Sequence, residues 1–253
     1  MKITIIIATL NSEATLEKCL TSIISQSFKE FEIIIVDGKS SDRTLDIISK
    51  YSNNIYRSIS EPDRGIYDAW NKALKISTGD WYYFMGSDDV LFDDYVLEKF
   101  SIVIRAKNLY TNLIVYGSIK YIDGSSVRLL GESWNLIKNR MKSGMCIPHQ
   151  AVFHNKLLFD KCGLFLPDFR IAGDYCLILK SLPLSTPIFI RNFIVANQFS
   201  GGISSRRDRR YKVLLEFRRA QVINKIPFQS RWLLDFIKSI GHYNICLFHR
   251  LVK

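Results

Sequence analysis

Short β-branched or aromatic runs alternate with segments of helical spacing over the first hundred residues, and this alternation constrains the fold more than any other feature. The predicted strands are, in chain order, residues 3–8, 31–36, 54–58 and 81–85. The predicted helices between them are residues 12–26, a segment bearing Leu45, Ile47 and Ile48, and residues 67–77. Alternating strands and helices predict an α/β fold with a parallel, doubly wound sheet.

The rest of the chain is less regular. Further strands are predicted at residues 113–117 and 118–122, around a turn, and at residues 188–193 and 194–198. Further helices are predicted at residues 92–106, 157–162 and 173–181. With these elements added, the sequence predicts a Rossmann-like, doubly wound mixed sheet.

The segment from Arg206 to the last residue holds most of the excess positive charge. It contains twelve Lys or Arg and three Asp or Glu, and therefore carries nine of the eleven net positive charges. Two helices with an apolar side are predicted there, at residues 211–224 and 232–252. Basic amphipathic helices bind the headgroup region of anionic membranes, so we expect a membrane-surface tail. The alternative is a docking helix that covers the main body and leaves its charges in water.

Composition narrows the classes of partner. Five scattered cysteines, with no close Cys-x-x-Cys pair, favour free thiols in a reducing compartment over disulfides or zinc. No secretory signal and no bilayer-spanning apolar run is visible, so we expect a cytoplasmic protein. The pI of about 9.4 makes a nucleic-acid-binding protein an alternative. Because the basic surplus is confined to the tail and no recognition module is evident, we expect no nucleic-acid partner.

An aromatic predicted strand ends in the sequence Gly86-Ser87-Asp88-Asp89. Two adjacent carboxylates repel each other, and their desolvation is costly unless a cation neutralises them. Oxygen ligands at a strand tip suit Mg²⁺ or Mn²⁺, which in turn suit a diphosphate. In the alternative interpretation, the two acids lie in a turn and cap the next helix.

Polar residues also follow the first two predicted strands. Thr9 ends the first strand, and Asp37-Gly38 ends its neighbour, where carboxylate and backbone groups can hold a base and ribose. The alternative for Asp37 is an Asx turn, which Asp-Gly favours. Residues 61–73 are rich in polar groups, and among them Asp63 can accept a hydrogen bond while Lys72 can offset phosphate charge.

The motifs Thr9-Leu10-Asn11-Ser12, residues 36–44, residues 61–73 and Gly86-Ser87-Asp88-Asp89 occur in this order, and together they resemble family 2 glycosyltransferases with the A-type nucleotide-sugar fold. The resemblance covers most of residues 1–200. It implies a nucleoside-diphosphate sugar donor, usually a UDP-sugar, with Mn²⁺ or Mg²⁺ and inversion at the anomeric carbon. The implied donor-binding residues are Thr9, Asn11, Asp37, Gly38, Asp63, Lys72, Asp88 and His149.

The metal motif departs from the family pattern at one position. Asp88 matches the last acid of the Asp-x-Asp motif, whereas Gly86 stands where many members carry the first acid. Metal binding would then rest on Asp88, with Asp89 or water completing the shell.

The second acidic motif of the family resembles the sequence around Asp174. An inverting transfer needs a carboxylate that takes the proton of the acceptor hydroxyl, and Asp174 is the predicted base. The alternative role for Asp174 is a helix N-cap. His149 and Gln150 precede a strand-like run, and a His-Gln pair recurs here in similar enzymes, so both are predicted to contact the acceptor, with His149 also near the diphosphate.

The resemblance divides the chain into a nucleotide-sugar-binding half, residues 1–115, an acceptor-binding half, residues 116–205, and the basic helical tail, residues 206–253. Residues 200–204 are predicted to be either a lid over the diphosphate or a hinge to the tail. The expected role is surface-polysaccharide synthesis, with a saccharide or polyprenyl-diphosphate-linked saccharide as acceptor, at the inner face of the cell membrane. A nucleotidyltransferase is a further alternative, although no glycine- and lysine-rich phosphate loop follows the first strand.

Overall fold

The computed structural model describes residues 1–200 and 210–251, with side chains as far as Ile240. The elements of the first third, in chain order, are β1 (Ile3–Thr9), α1 (Leu16–Ile24), β2 (Phe31–Asp37), α2 (Thr44–Lys50), β3 (Arg57–Ser60), α3 (Ile66–Ile76) and β4 (Trp81–Gly86). Strand and helix alternate strictly here, as the apolar periodicity predicts.

The remaining elements are shorter and less regular until the C-terminal helices. They are β5 (Val90–Leu91), α4 (Val96–Ala106), β6 (Ile114–Asp123), β7 (Ser126–Leu130), α5 (Trp134–Ile137), β8 (Val152–Asn155), α6 (Lys156–Cys162), α7 (Gly173–Ser181), β9 (Ile188–Phe199), α8 (Arg210–Ile223) and α9 (Ser230–Leu251). A 3-10 turn over His149–Ala151 leads into β8.

Within the described residues, nine strands form one mixed sheet in the order β3-β2-β1-β4-β8-β6-β9-β5, and β7 pairs with β6 at its side. The first four strands in this order are parallel, whereas β8 is antiparallel to both β4 and β6. The predicted mixed α/β architecture is confirmed. The predicted division at residue 115 falls inside β6, so the two halves share one sheet.

Both faces of the sheet are covered, which explains why its central strands are apolar at most positions. Ile6, Ile34 and Phe84 belong to one buried cluster, together with residues of α3 and α7. Their neighbours Ile5, Ile33 and Tyr83 belong to a second cluster on the opposite face. The two layers fix the strand tips relative to one another, because a shift of one residue would exchange the two faces.

Two pairs of predicted strands prove to be single strands. The turn predicted within residues 113–122 is wrong: β6 runs through Gly117, and the turn comes later, at Gly124, where φ is 58°. Gly117 is needed for close approach, since a Cβ there would lie 2.4 Å from the Phe193 carbonyl oxygen. The break predicted after residue 193 is also wrong, because β9 continues past a register shift against β6.

Several predicted boundaries are shifted. The third strand comprises Arg57–Ser60 instead of residues 54–58, because it is a mostly exposed edge strand without a clear apolar period. The helix predicted from residue 92 begins at Val96, since Val90–Leu91 pairs with β9 as the short strand β5. The helix predicted from Ser12 begins at Leu16, after a turn held by the Ser12 carbonyl.

The first C-terminal helix is docked on the main body. Ala220 of α8 is part of the core cluster that contains α7, and Gln221 donates to the Tyr175 hydroxyl at 3.4 Å. Trp232 of α9 donates through its indole Nε1 to the Leu214 carbonyl oxygen at 2.7 Å. The apolar side of α8 therefore packs on protein. For this helix, the structure agrees with the alternative of a docking helix that covers the main body. Among the described helices, none has the length and apolar character needed to cross a bilayer.

Candidate active site

The carboxyl ends of three parallel strands bring polar residues to one edge of the sheet. Thr9 pairs with Asp37 in the register of β1 and β2, and Ala8 pairs with Gly86 in the register of β1 and β4. Ser60, the last residue of β3, pairs with Asp37 on the outer side. In open α/β sheets, ligands bind outside this edge.

The loops after these strands are tied to one another by hydrogen bonds. The backbone N–H of Asn11 donates to Ser40 Oγ at 2.8 Å, and Asn11 Oδ1 accepts the Ser41 backbone N–H at 2.9 Å. Ser12 Oγ lies 2.8 Å from Ser87 Oγ, which joins the loop after β1 to the loop after β4. The three loops form one continuous surface, which we call the strand-tip crevice.

Asp37 is fully buried at the centre of this crevice. Its Oδ2 accepts the Ser40 backbone N–H at 3.0 Å and the Ser60 hydroxyl at 2.7 Å, and its Oδ1 accepts the Ser40 hydroxyl. The Asx turn considered from the sequence is thus present. Because a carboxylate has about four acceptor positions, these three bonds leave one acceptor position of Asp37 unused.

Two further positions in the crevice are shaped for a ligand. The hydroxyl of Thr9 is buried, and it has no hydrogen-bond partner among the described residues. A buried polar atom of this kind is costly unless water or a ligand satisfies it. Beside it, a Cβ on Gly38 would lie 2.8 Å from Asp63 Oδ2, so glycine permits the close approach of Asp63 to the end of β2. Asp63 Oδ1 accepts the Gly65 backbone N–H at 2.7 Å.

The adjacent acids after β4 differ in their environments. Asp88 is exposed, whereas Asp89 is buried. Burial, followed by repulsion from the Asp88 charge, raises the pKa of Asp89 to about 8. The alternative in which these acids cap the next helix is wrong, because α4 begins at Val96 after Tyr95. The pair therefore combines a solvent-exposed carboxylate, Asp88, with a buried carboxyl group that burial and the Asp88 charge hold in its protonated form near neutral pH.

The pair has space because residue 86 has no side chain. A Cβ on Gly86 would lie 2.7 Å from Asp88 Oδ1 and 2.8 Å from Asp89 Oδ2. Both carboxylates therefore approach the same point of the backbone. The arrangement of the two carboxylates in this chain therefore needs a glycine at position 86.

We expect Gly86→Ala to turn both carboxylates away and to lower turnover about 10- to 100-fold, since small displacements of catalytic groups have effects of that size. The fold should persist, because short side chains and not backbone atoms meet the new methyl group. Steady-state kinetics with a thermal melt check this. Unchanged turnover would show that the positions of the two carboxylates do not matter.

We expect Asp89→Asn to stabilise the protein increasingly as the pH rises from about 4 to 8. In this range the unfolded chain carries a charged Asp89, whereas the folded chain with its pKa of about 8 keeps it protonated. The free energy of unfolding of wild type therefore falls as the pH rises. Between pH 5 and 8, the variant should become more stable relative to wild type by about 2–4 kcal/mol. Urea melts without divalent ions test this, with the exposed Asp123→Asn as control. A pH-independent difference would contradict it.

Lys72 is engaged by acids of its own segment. Its Nζ lies 2.8 Å from Glu61 Oε1 and 3.6 Å from Asp68 Oδ2, and it donates to the Pro62 carbonyl oxygen at 2.9 Å. Burial alone would lower the pKa of Lys72, but the Glu61 hydrogen bond and the nearby carboxylates raise it. Lys72 thus holds the loop that carries Asp63, and a phosphate would compete with these partners for its charge.

Asp174 lies in the first turn of α7 and is not its N-cap. The N-cap position is Ala172, and no side chain accepts a capping hydrogen bond there. Asp174 Oδ1 instead lies 3.1 Å from the Tyr67 hydroxyl, whose single proton it shares with the Ile171 carbonyl oxygen at 2.7 Å. Burial and the Asp174 charge hold the pKa of Tyr67 well above its usual range, so Tyr67 remains a hydrogen-bond donor. The N-cap alternative is therefore wrong.

His149 and Gln150 lie between Asp174 and the acid pair. The His149 ring stacks on Trp70 of α3 at a centroid distance of 4.9 Å, and burial lowers its pKa, although the Asp174 charge opposes this. Its Nε2 is buried and unpartnered within the described part of the chain. The Gln150 side chain lies near the Asp89 carboxyl group and lowers its pKa, against the larger effect of burial. Helix α3 thus contacts Asp174 through Tyr67 and His149 through Trp70.

A metal ion fits one part of the site only. Among the described residues, no group of three or more His, Cys, Asp or Glu could hold a metal ion by itself. Mg²⁺ and Mn²⁺ are often bound by one or two carboxylates together with substrate phosphates. Exposed Asp88 beside Asp89 fits such a shared site, because a bound cation would favour the charged form of Asp89 against burial and the Asp88 charge.

The sequence did not indicate the supporting roles of Ser60, Tyr67 and Trp70. Tyr67 and Trp70 lie inside the motif of residues 61–73, but only the folded chain shows that they contact Asp174 and His149. Ser60 contacts Asp37 through the pairing of β3 with β2. The sequence predicts a lid or hinge at residues 200–204. The backbone N–H of Ser200 donates to the Ile122 carbonyl oxygen, and residues 201–204 lie outside the described residues.

Residues 4–158 match the protein family described as glycosyl transferase family 2. This segment contains the strand-tip crevice, His149 and Gln150, and it ends before Asp174. A PGL/p-HBAD biosynthesis glycosyltransferase of Mycobacterium bovis is 32% identical to this chain over 209 residues, which are 79% of this chain and 78% of the mycobacterial protein.

Solved structures with low sequence identity share the fold. S. aureus TarS in complex with UDP-GlcNAc aligns with a TM-score of 0.70 at 20% identity, over 96% of this chain and 72% of the other. The mannosyltransferase PcManGT from Pyrobaculum calidifontis, in complex with GDP-Man and Mn²⁺, aligns with a TM-score of 0.68 at 16% identity, over 96% and 69% of the two chains.

Proposed function

Because the chain belongs to glycosyl transferase family 2, with the A-type fold that its motifs predict, we propose that it transfers a sugar from a UDP-sugar to a saccharide or lipid-linked acceptor. The transfer inverts the anomeric carbon. The proposal includes a role in the synthesis of a surface polysaccharide or glycolipid, which the similarity to the mycobacterial PGL/p-HBAD biosynthesis glycosyltransferase supports.

One observation carries the proposal. Three acids from separate segments, Asp37, Asp63 and Asp88, surround the crevice at the strand tips, and Asp174 is held nearby by a tyrosine on α3. Carboxylates that accept hydrogen bonds from a base and a ribose suit a nucleoside. The Thr9 hydroxyl, which has no partner among the described residues, would add a further contact. The UDP-GlcNAc bound by TarS supports a uridine nucleotide.

Asp174 supplies the base. Its Oδ1 contacts the Tyr67 hydroxyl, and we assign to Oδ2 the uptake of the acceptor hydroxyl proton as the new bond to the anomeric carbon forms. The bond from that carbon to the diphosphate breaks on the opposite side, and the nucleoside diphosphate leaves. Tyr67 keeps the carboxylate oriented throughout, since the pKa of Tyr67 is raised well above its usual range.

Asp88, with Asp89 beside it, would hold the divalent ion. A bound Mn²⁺ or Mg²⁺ supplies positive charge that offsets the negative charge of a departing diphosphate. The Mn²⁺ in the PcManGT complex supports this proposal. Asn11 and Gly38 would contribute backbone groups near the nucleoside, and His149 and Gln150 would line the acceptor side.

A panel of nucleotide sugars, with and without Mn²⁺, tests the proposal. We expect a UDP-sugar to stabilise the wild-type chain by about 2.7 kcal/mol at one hundred times its dissociation constant, and to be converted to UDP. Release of pyrophosphate would indicate a nucleotidyltransferase instead. Absence of stabilisation by every nucleotide sugar would contradict the proposal.

The membrane-surface role is proposed for α9. Leu233, Leu234, Ile237 and Ile240 are exposed on this helix, in the segment that carries nine of the eleven net positive charges. Exposed apolar residues within a basic segment suit an anionic lipid surface, where a lipid-linked acceptor would also lie. The protein would then work at the inner face of the cell membrane.

Vesicle binding by the full-length chain tests this role. We expect wild type to sediment with vesicles rich in anionic lipid, and the double variant Leu234→Glu/Ile237→Glu to lose most of that binding. Leu136→Glu is the matched control, because Leu136 is exposed on α5, outside the tail. Equal binding by wild type and the double variant would refute the role of α9.

A further inference from the structure

One carboxylate from the C-terminal segment binds three consecutive backbone N–H groups of the main body. Glu216 of α8 accepts from Arg170 N at 2.9 Å through Oε1, and from Ile171 N and Ala172 N at 2.8 Å each through Oε2. Successive N–H groups that converge in this way form an anion-binding nest. Bonds from N–H groups to an ionised acceptor are also stronger than neutral ones.

The nest immediately precedes the helix that carries Asp174. Ile171 not only donates to Glu216 but also accepts from the Tyr67 hydroxyl, through its carbonyl oxygen, at 2.7 Å. The same hydroxyl contacts Asp174 Oδ1 at 3.1 Å. Gly173 permits this arrangement, since a Cβ there would lie 2.8 Å from the Tyr67 ring. The loop is therefore held from one side by α3 and from the other by α8.

We propose that Glu216 is a positioning residue that fixes the loop of residues 170–172 and, through it, the orientation of Asp174 toward the acceptor hydroxyl. This inference rests on the proposed function, because it needs Asp174 as the base. It gives the first helix of the basic segment a role in the reaction that is separate from any membrane contact.

Other contacts dock α8 without touching the nest. Asn224 Nδ2 donates to the Cys176 carbonyl oxygen at 3.1 Å, and Arg219 donates to the Asp168 carbonyl oxygen at 3.1 Å. Phe217 packs on the Tyr175 ring at a centroid distance of 4.8 Å. These contacts keep α8 in place when Glu216 is changed, so the loss of the nest can be separated from the loss of the helix.

The test compares Glu216→Ala with Asn224→Ala in the full-length chain. We expect Glu216→Ala to lower kcat about 10- to 100-fold, the size expected from a small misplacement of a catalytic group. Its KM for the donor should remain within twofold of wild type. Asn224→Ala should lower the melting temperature and leave kcat unchanged. Equal kcat losses in the two variants, or an unchanged kcat in Glu216→Ala, would overturn the inference.

A double variant shows whether Glu216 acts through Asp174. On the Asp174→Asn background, Glu216→Ala should cause no further fall in the residual rate, because residues that act as a unit are not additive. A full additional loss overturns the inference.

Amide hydrogen exchange at residues 170–172 gives a readout that needs no reaction. Exchange there should be faster in Glu216→Ala than in Asn224→Ala, and equal rates overturn the proposed hold on the loop. Absence of sugar transfer by wild type would instead overturn the proposed function.

Discussion

Asp174→Asn should lower kcat about 10³-fold while the affinity for the donor stays within twofold of wild type. Asn has nearly the same shape and can still accept the Tyr67 hydrogen bond that Oδ1 now accepts at 3.1 Å. It cannot take up the acceptor proton, and a positioned general base typically contributes 10²- to 10⁴-fold. Initial rates with a saturating acceptor, together with calorimetric titration of the donor, measure the two quantities separately.

Asp160→Asn is the control for this variant. Asp160 is exposed on α6, in an element that contacts α7, so it carries the same chemical change without a place in the site. Turnover within fivefold of wild type in Asp174→Asn would remove Asp174 from the mechanism, and a search for the base would move to His149.

Asp88→Ala is expected to weaken both donor binding and turnover, with a combined loss in kcat/KM of about 10²- to 10³-fold, because a carboxylate that holds a charge-neutralising cation acts on the leaving group. The loss should be accompanied by a higher Mn²⁺ requirement. The variant should fold normally, since Asp88 is exposed. Rates at a series of Mn²⁺ concentrations measure this.

Asp94→Ala provides the comparison for Asp88→Ala, because Asp94 is an exposed acid a few residues further along the chain. It should leave both the rate and the metal dependence unchanged. A rate that is independent of Mn²⁺ in wild type and in Asp88→Ala would show that the acid pair serves no metal-linked purpose.

The parallel half of the sheet could be read from the sequence because its determinants are local. Each buried strand is a mostly apolar run that ends at the residues of the crevice. The positions of Thr9, Asp37 and Gly86 therefore follow from the strand ends alone. The motif order then identifies the family. Site roles for individual residues remain predictions, since the structure fixes where these residues lie and not what they bind.

Other features depend on contacts between distant segments, which no local pattern records. Gly117 resembles a turn residue in the sequence, but it allows β9 to approach β6 inside a strand. The apolar side of α8 is equally suited to lipid or protein, and only its contacts with α7 decide between them. The bonds of Glu216 join residues more than forty positions apart.

Binding of the nucleoside diphosphate in the strand-tip crevice can be tested by amide hydrogen exchange of the wild-type chain. With saturating UDP and Mn²⁺, we expect slower exchange in residues 9–12, 37–41, 60–65 and 86–89, while the amino ends of the same strands remain unchanged. Binding of UDP with no protection in any of these four segments would show that the nucleotide binds elsewhere.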